Sequence, residues 1–268
     1  MQTGLECIGN IGAYEMCEVV MLAQKSLEMI SGNYILDLSH MGFIIGLLDE
    51  CGIENTKRSE ILGYFGMKNA PAVEAFCRDS GISAENTEKL VGIASLYEPI
   101  EKGIEKIGNY VSGDRMKQAY EELKQISEGI AFYGLQDRLY LDFSVVNDMD
   151  YYNGIIFRGF VDGIPSGILS GGRYDSLMQK MGKKSGAVGF AVYLDQLEKL
   201  ENDNEKYDVD VLLLYDGDVS TNSIINAVRK FNGEGLSVKA VNGTDSSVKY
   251  RKCIRVTDGG VQTLETDD

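Results

Sequence analysis

Residues 141–200 read LDFSVVNDMDYYNGIIFRGFVDGIPSGILSGGRYDSLMQKMGKKSGAVGFAVYLDQLEKL, and the rest of the chain is understood from this stretch. Tyr151 and Tyr152 stand before a β-rich run. The spacing predicts strands over Ile155–Val161 and Ile164–Leu169. Asp162-Gly163 between them fits a type I′ hairpin, because both residues tolerate the positive φ that such a turn demands. A Gly171-Gly172-Arg173 loop follows, and Arg173-Tyr174-Asp175 opens a short helix through Met178. Gly186–Leu194 reads as an apolar strand of small residues, which lets a ligand or another backbone come close. Asp195 caps a helix to about Asn202. Paired tyrosines, a glycine loop and a small-residue strand together describe a ligand pocket lined by a sheet.

On the N-terminal side, Gln2–Ile8 alternates as a strand, with Gln2, Gly4 and Glu6 on one face and Thr3, Leu5 and Cys7 on the other. Gln2 and Glu6 are either pocket groups suited to an amine or imidazole, or the wet face of an edge strand. Ala13–Ile30 is an amphipathic helix with Met16, Val20, Ala23, Leu27 and Ile30 at helical spacing and Gly32 placed to end it. A strand over Asn33–Leu38 leads to a helix over Met41–Cys51, with Ser39 as its expected cap. His40, the only histidine, reads as a surface or capping residue. Residues 52–131 change character and give helices near 56–67, 71–79, 84–93 and 113–130. They read as a helical insertion between strand-rich halves of one domain, and Leu139–Phe143 returns the chain to the sheet.

On the C-terminal side, the polar run Glu201–Lys206 is a linker. Beyond it Val209–Tyr215, Ser220–Phe231 and Leu236–Val241 form a βαβ pattern, and Lys252–Thr257 with Val261–Leu264 flank a hairpin. The expected organisation is a core over residues 1–200 and a small α/β domain over residues 207–268.

Composition bounds the partners. The formal net charge is −15, with 26 Lys and Arg against 41 Asp and Glu, and no basic tract is present. Binding to nucleic acid or an anionic membrane surface is disfavoured by self-repulsion. No apolar run reaches membrane-spanning length, so a cytoplasmic protein is expected. The five cysteines, at positions 7, 17, 51, 77 and 253, form no C-x-x-C pair, so reduced and mostly buried thiols are expected and no metal site is.

The central stretch resembles the histidyl-tRNA synthetases. DMDYYNGIIF is similar to the histidine-binding motif of that family, an Arg-Gly-Leu-Asp-Tyr-Tyr run, and SGGRYDSL is similar to its second histidine-specific loop. GAVGFAVYLDQL resembles class II motif 3, and QTGLECIG resembles the end of motif 2. The likeness covers roughly residues 1–50 and 139–200. It implies an α+β, class II aminoacyl-tRNA synthetase-like fold: a mixed, mainly antiparallel sheet flanked by helices, with a helical insertion and a small C-terminal α/β domain resembling a reduced anticodon-binding domain. It also implies that the sequence is N-terminally incomplete, because it starts within motif 2.

The departures from the family pattern carry the functional expectation. Asn147 stands where the motif has its arginine, Asp148 where it has glycine, and Gln196, after Asp195, where motif 3 ends in arginine. Those arginines stabilise charge that builds as an aminoacyl-adenylate forms, so their loss argues against adenylation. Gln2, Glu6, Tyr151, Tyr152, Gly171, Gly172 and Arg173 match positions of the histidine-like pocket. A non-catalytic relative of this kind resembles the regulatory subunits of ATP phosphoribosyltransferase. That implies the short-form catalytic subunit as partner, a homodimer within a hetero-oligomer, histidine as ligand and feedback signal, and no cofactor. The alternative is a divergent or truncated histidyl-tRNA synthetase that activates histidine with ATP.

Overall fold

The structure is a computed structural model that describes residues 1–146, 152–197, 207–244 and 247–266. Asn147, Asp148, Tyr151 and the linker 201–206 lie outside the described residues. The chain divides into two units, Met1–Leu200 and Glu201–Asp268.

The first unit is built on seven strands: β1 (Gln2–Gly9), β2 (Tyr34–His40), β3 (Tyr97–Pro99), β4 (Leu139–Asp142), β5 (Ile155–Val161), β6 (Leu169–Arg173) and β7 (Gly186–Tyr193). Their order in the sheet is β1-β7-β6-β5-β2-β4-β3. Only β2 and β4 run parallel, and the other pairings are antiparallel. The sheet is therefore mixed and mainly antiparallel. The helices are α1 (Ala13–Ile30), α2 (Met41–Glu50), α3 (Asn55–Gly66), α4 (Ala70–Asp79), α5 (Ala84–Ala94), α6 (Ile100–Gly108), α7 (Gly113–Phe132) and α8 (Asp175–Lys180).

One sheet face is apolar and takes the helices. Leu36 pairs with Gly159 and Leu38 with Phe157, so these residues share a face by strand alternation. A Cβ on Gly159 would lie 2.6 Å from Leu27 of α1, which shows how closely that helix sits on β5. Every residue of α2 from Met41 to Leu48 is buried, as befits a helix that is hydrophobic all round. Helix α7 packs on α2, where a Cβ at Gly46 would strike Met116, and on α1, where one at Gly129 would strike Cys17. The opposite face carries Glu6, Ser170, Gly172, Gly189, Arg158 and Asp37 by the same register.

Several expectations are corrected. The Asp162-Gly163 hairpin does not form. Strand β5 pairs with β6 through Gly159 opposite Leu169 and Ile156 opposite Gly172, so residues 162–168 are a longer loop. Pro165 explains this, because it has no N–H to give a ladder over Ile164–Leu169. The expected Gly171-Gly172-Arg173 loop is the second half of β6. A Cβ at Gly171 would lie 2.4 Å from the Gly189 carbonyl oxygen, and one at Gly172 would lie 2.5 Å from that of Ile155, so glycine here allows tight strand packing rather than a turn. His40, not Ser39, is the N-cap of α2: its Nδ1 accepts from the Gly42 N–H at 3.0 Å. Gly32 follows the α1 C-cap Ser31, whose N–H donates to the Leu27 carbonyl, as expected, but without the positive φ of a glycine cap. Between 94 and 113 the sequence reading missed β3 and α6. Strand β3 is only three residues long, too short to show a period. Gly103 lies inside α6, where a Cβ would strike Leu141 at 2.8 Å, so this glycine serves close packing rather than a break.

The second unit has a four-stranded sheet of order β11-β10-β8-β9, from β8 (Val209–Tyr215), β9 (Val238–Asn242), β10 (Tyr250–Thr257) and β11 (Gly260–Thr266). Strands β8, β9 and β10 are parallel and β11 returns antiparallel. The helix α9 (Thr221–Gly233), capped by Ser220, buries Ala227 and Phe231 against Val211, Leu213, Ile254 and Val256.

Candidate functional site

The face of the sheet opposite α1 is floored by small residues where β1, β7 and β6 meet. Glu6 of β1 pairs with Gly189 of β7, and Gly189 pairs onward with Gly172 of β6. Ala187 and Ala191 alternate onto the same face as Gly189. A Cβ on Gly189 would collide with the Glu6 carboxylate, so the absence of a side chain makes room for that acid.

Three side chains stand over this floor. Tyr174, immediately after β6, donates its hydroxyl to Glu6 Oε2. Burial pushes the Glu6 carboxyl up from its ordinary range. Tyr152 lies over Gly172, where a Cβ would come within 2.7 Å of its ring, and meets Tyr174 edge to face at 6.4 Å. Tyr174 is itself buried in a small cluster with Met178 and Ala187. Such a carboxylate flanked by phenols accepts a cationic or N–H-bearing group on a flat apolar floor.

The expected residues divide. Glu6, Tyr152 and Gly172 come together. Gln2 shares the face but sits opposite Tyr193, four residues along β1 from Glu6, roughly 13 Å away at strand rise. Tyr193 there bonds Ser170 Oγ at 2.7 Å. Tyr151 lies outside the described residues. Gly171 and Arg173 belong to the other face. A Cβ on Gly171 would point at Phe157 and Phe190. The Arg173 guanidinium bonds Asp175 at 2.8 Å and reaches Glu122 of α7 at 3.9 Å. Reading Gly171-Gly172-Arg173 as a loop assigned all three to one site, whereas a strand sends alternate residues to opposite sides. The same alternation, applied from Gly172, finds Tyr174, the residue the sequence reading missed.

Gln196 lies in a short 3₁₀ turn, Leu194–Gln196. Its amide oxygen accepts from Ser166 Oγ at 3.0 Å, and its amide donates to Asp195 at 3.0 Å. Among the described residues no group of three His, Cys, Asp or Glu converges as a metal site would require. No described helix is long and apolar enough to cross a membrane.

Comparison with known proteins adds sequence and fold relationships. A family profile described as histidyl-tRNA synthetase matches residues 1–197. The ATP phosphoribosyltransferase regulatory subunit of Halothermothrix orenii is 27% identical over 258 residues, covering 94% of this chain and 60% of that protein. The regulatory subunit of Acetivibrio thermocellus is 29% identical over 275 residues, covering 100% of this chain and 65% of that protein. The chain thus spans 60% and 65% of the length of these two relatives. A solved structure from Bacillus halodurans C, described as an ATP phosphoribosyltransferase regulatory subunit/histidyl-tRNA synthetase, superposes with a TM-score of 0.74 at 24% identity, covering 95% of this chain and 67% of that one. A chain of the ATP phosphoribosyl transferase (HisG:HisZ) complex from Thermotoga maritima superposes with a TM-score of 0.58 at 19% identity, covering 72% of this chain and 65% of that one. These likenesses give the first unit the class II aminoacyl-tRNA synthetase-like fold expected from the sequence.

Proposed function

The chain belongs to the histidyl-tRNA synthetase family, and from that premise we propose that it is a regulatory, non-catalytic member of it. In this reading it acts in the cytoplasm as the regulatory subunit of ATP phosphoribosyltransferase in histidine biosynthesis. It activates the short catalytic subunit and carries histidine feedback, as a homodimer within a hetero-oligomer. The second unit is a reduced anticodon-binding-like domain, and the helices between residues 52 and 131 are an insertion in the core.

The observation that carries the reading is the chemistry around Glu6. Adenylation needs cations where the carboxylate and α-phosphate of the substrates meet. Here the described wall is a carboxylate, two phenols and small residues. The one arginine of the glycine motif, Arg173, turns to the other face. Gln196 stands at the motif 3 position and is engaged by Ser166 and Asp195. Asn147, by the same resemblance, holds the place of the other arginine. A pocket with an acid and phenols suits binding of an imidazole or α-amino group without supporting ATP chemistry. The names of the relatives support the same reading.

The test is to mix the protein with a short-form catalytic subunit and follow phosphoribosyl-ATP formation with and without histidine. Stimulated turnover that histidine reduces is expected, and no stimulation overturns the reading. The family profile's own description favours the alternative, a divergent histidyl-tRNA synthetase. Histidine-dependent exchange of pyrophosphate into ATP by this protein alone would decide for it.

A further inference from the structure

Across β6 from Tyr174 lies a second polar cleft, of about 390 Å³. It opens between the start of α2, the first turns of α7 and the end of β6. Its charged lining is Arg115 and Arg173 against Glu122, with Gln118, Ser176 and Gln179 as neutral polar walls. Two cations and one anion leave the lining one charge positive, in a chain whose formal net charge is −15. The volume falls in the range of small-molecule sites, roughly 300–1,000 Å³.

The charged acceptor of this cleft, Glu122, is already engaged. Because the Gly42 N–H donates to His40 Nδ1, the ring offers Nε2–H, which donates to Glu122 Oε2 at 3.0 Å. The Gln118 amide donates to Glu122 Oε1 at 3.1 Å. Burial disfavours the charged form of Glu122, but these two bonds and the nearby Arg173 outweigh it and hold the carboxyl below its ordinary range. Glu122 is thus an ionised group with both oxygens engaged.

The donors are not used up. Arg173 spends Nε on Asp175, while among the described residues its Nη1 meets Met16 Sδ and Glu122 at 3.9 Å each. A guanidinium has five N–H groups, and these contacts do not take up all of them. Arg115 makes one contact of 3.3 Å to Asp49 and is half exposed. Ser176 and Gln179 add a hydroxyl and an amide to the lining. A surplus of donors around a partly buried space calls for an acceptor-rich, negatively charged occupant. Backbone glycine preserves the arrangement: a Cβ at Gly154 would meet the Arg173 side chain at 2.9 Å, and one at Gly42 would meet the His40 ring at 3.0 Å.

We propose that this cleft is a second binding site, for a small molecule carrying an oxyanion, with Arg115 and Arg173 as its cationic holders and Ser176 and Gln179 as neutral donors. The site is distinct from the Glu6 pocket, since the two lie on opposite faces of the sheet, and it does not depend on what that pocket binds.

The test is calorimetric titration of the full chain with inorganic phosphate and, separately, with acetate, at constant ionic strength. Saturable binding of at least one is expected, and the tighter of the two separates a phosphate-bearing ligand from a carboxylic acid. The double variant Arg115→Ala, Gln179→Ala should bind it roughly tenfold or more weakly, the loss expected when a charge-assisted bond is removed. Both side chains are exposed, so the variant keeps its fold, which circular dichroism checks. Arg78→Ala removes an exposed charge from α4, away from the cleft lining, and should leave the affinity unchanged. The proposal is overturned by no saturable binding of either anion, by undiminished affinity in the double variant, or by equal weakening in Arg78→Ala.

Discussion

Replacing Asp37 by Asn should stabilise the protein at neutral to alkaline pH, and the size of the effect can be worked from its surroundings. Asp37 is 5% exposed, and one of its carboxylate oxygens is buried without a hydrogen-bond partner. Its carboxyl is pushed up to about 7, first by burial and then by the charge of Asp142, with Lys68 and Arg158 pulling the other way. The folded state therefore holds this proton more tightly than the unfolded chain, where an aspartate titrates near 3.8. Asp37 is tolerated best at acid pH, and stability falls as pH rises from about 4 to about 7. Raising the carboxyl from 3.8 to about 7 makes the ionised group cost on the order of 4 kcal/mol above that window. Asn keeps the shape and removes the titration. Urea unfolding of parent and Asp37→Asn should give nearly equal stabilities near pH 4, and the variant should gain steadily to as much as about 4 kcal/mol near pH 8. Carboxylates remote from Asp37 act on both proteins alike, so the difference reports Asp37 together with its coupling to Asp142. A difference that stays flat or shrinks as pH rises refutes the reasoning.

Two further outcomes test the sheet and the pocket. Gly171→Ala would force a Cβ to within 2.4 Å of the Gly189 carbonyl oxygen and 2.6 Å of Phe190 Cβ, between two paired strands. It should destabilise by about 3 kcal/mol or more in denaturant unfolding, and a variant within about 0.5 kcal/mol of the parent would show that the strands are not packed this way. Tyr174→Phe removes the hydroxyl that Glu6 accepts. Histidine affinity by calorimetry should fall roughly tenfold or more, the scale of a hydrogen bond to a charged group, and unchanged affinity would take Tyr174 out of the pocket.

The fold was legible where a period had room to repeat. The 18-residue α1 shows its apolar stripe, and its observed ends match the predicted ones. The small unit was legible for the same reason, because the run Val209–Tyr215 and the helix after Ser220 are long and cleanly capped. Short or crowded elements were not. The three residues of β3 carry no period, and glycines that serve close packing look in sequence like glycines that make turns. Gly103 within α6 and Gly171 within β6 are both of that kind, since what decides them is the neighbouring Leu141 or Gly189, far away in the chain. Of the two readings of His40, surface or cap, the structure gives the cap, in the place expected of Ser39, and its bond to Glu122, 82 residues on, left no local trace.

The site shows the same limit in a sharper form. A motif presents Gly171, Gly172, Arg173 and Tyr174 as one run, and reading it as a loop makes every member a pocket residue. As a strand the run divides by parity. Gly172 and Tyr174 face the Glu6 carboxylate, while Gly171 faces Phe190 and Arg173 faces Glu122 on α7. The division matters electrostatically. A guanidinium beside Glu6 would hold that carboxylate ionised, but among the described residues Tyr174 is its bonded neighbour and burial raises its carboxyl. The positive charge of the motif is spent on the helix side, where it meets the His40–Glu122 pair and borders the second cleft. One strand thus separates an acid-and-phenol pocket from a donor-rich one. The unlike chemistries of the two faces follow from a single fact, that residues 171–174 are extended rather than turned.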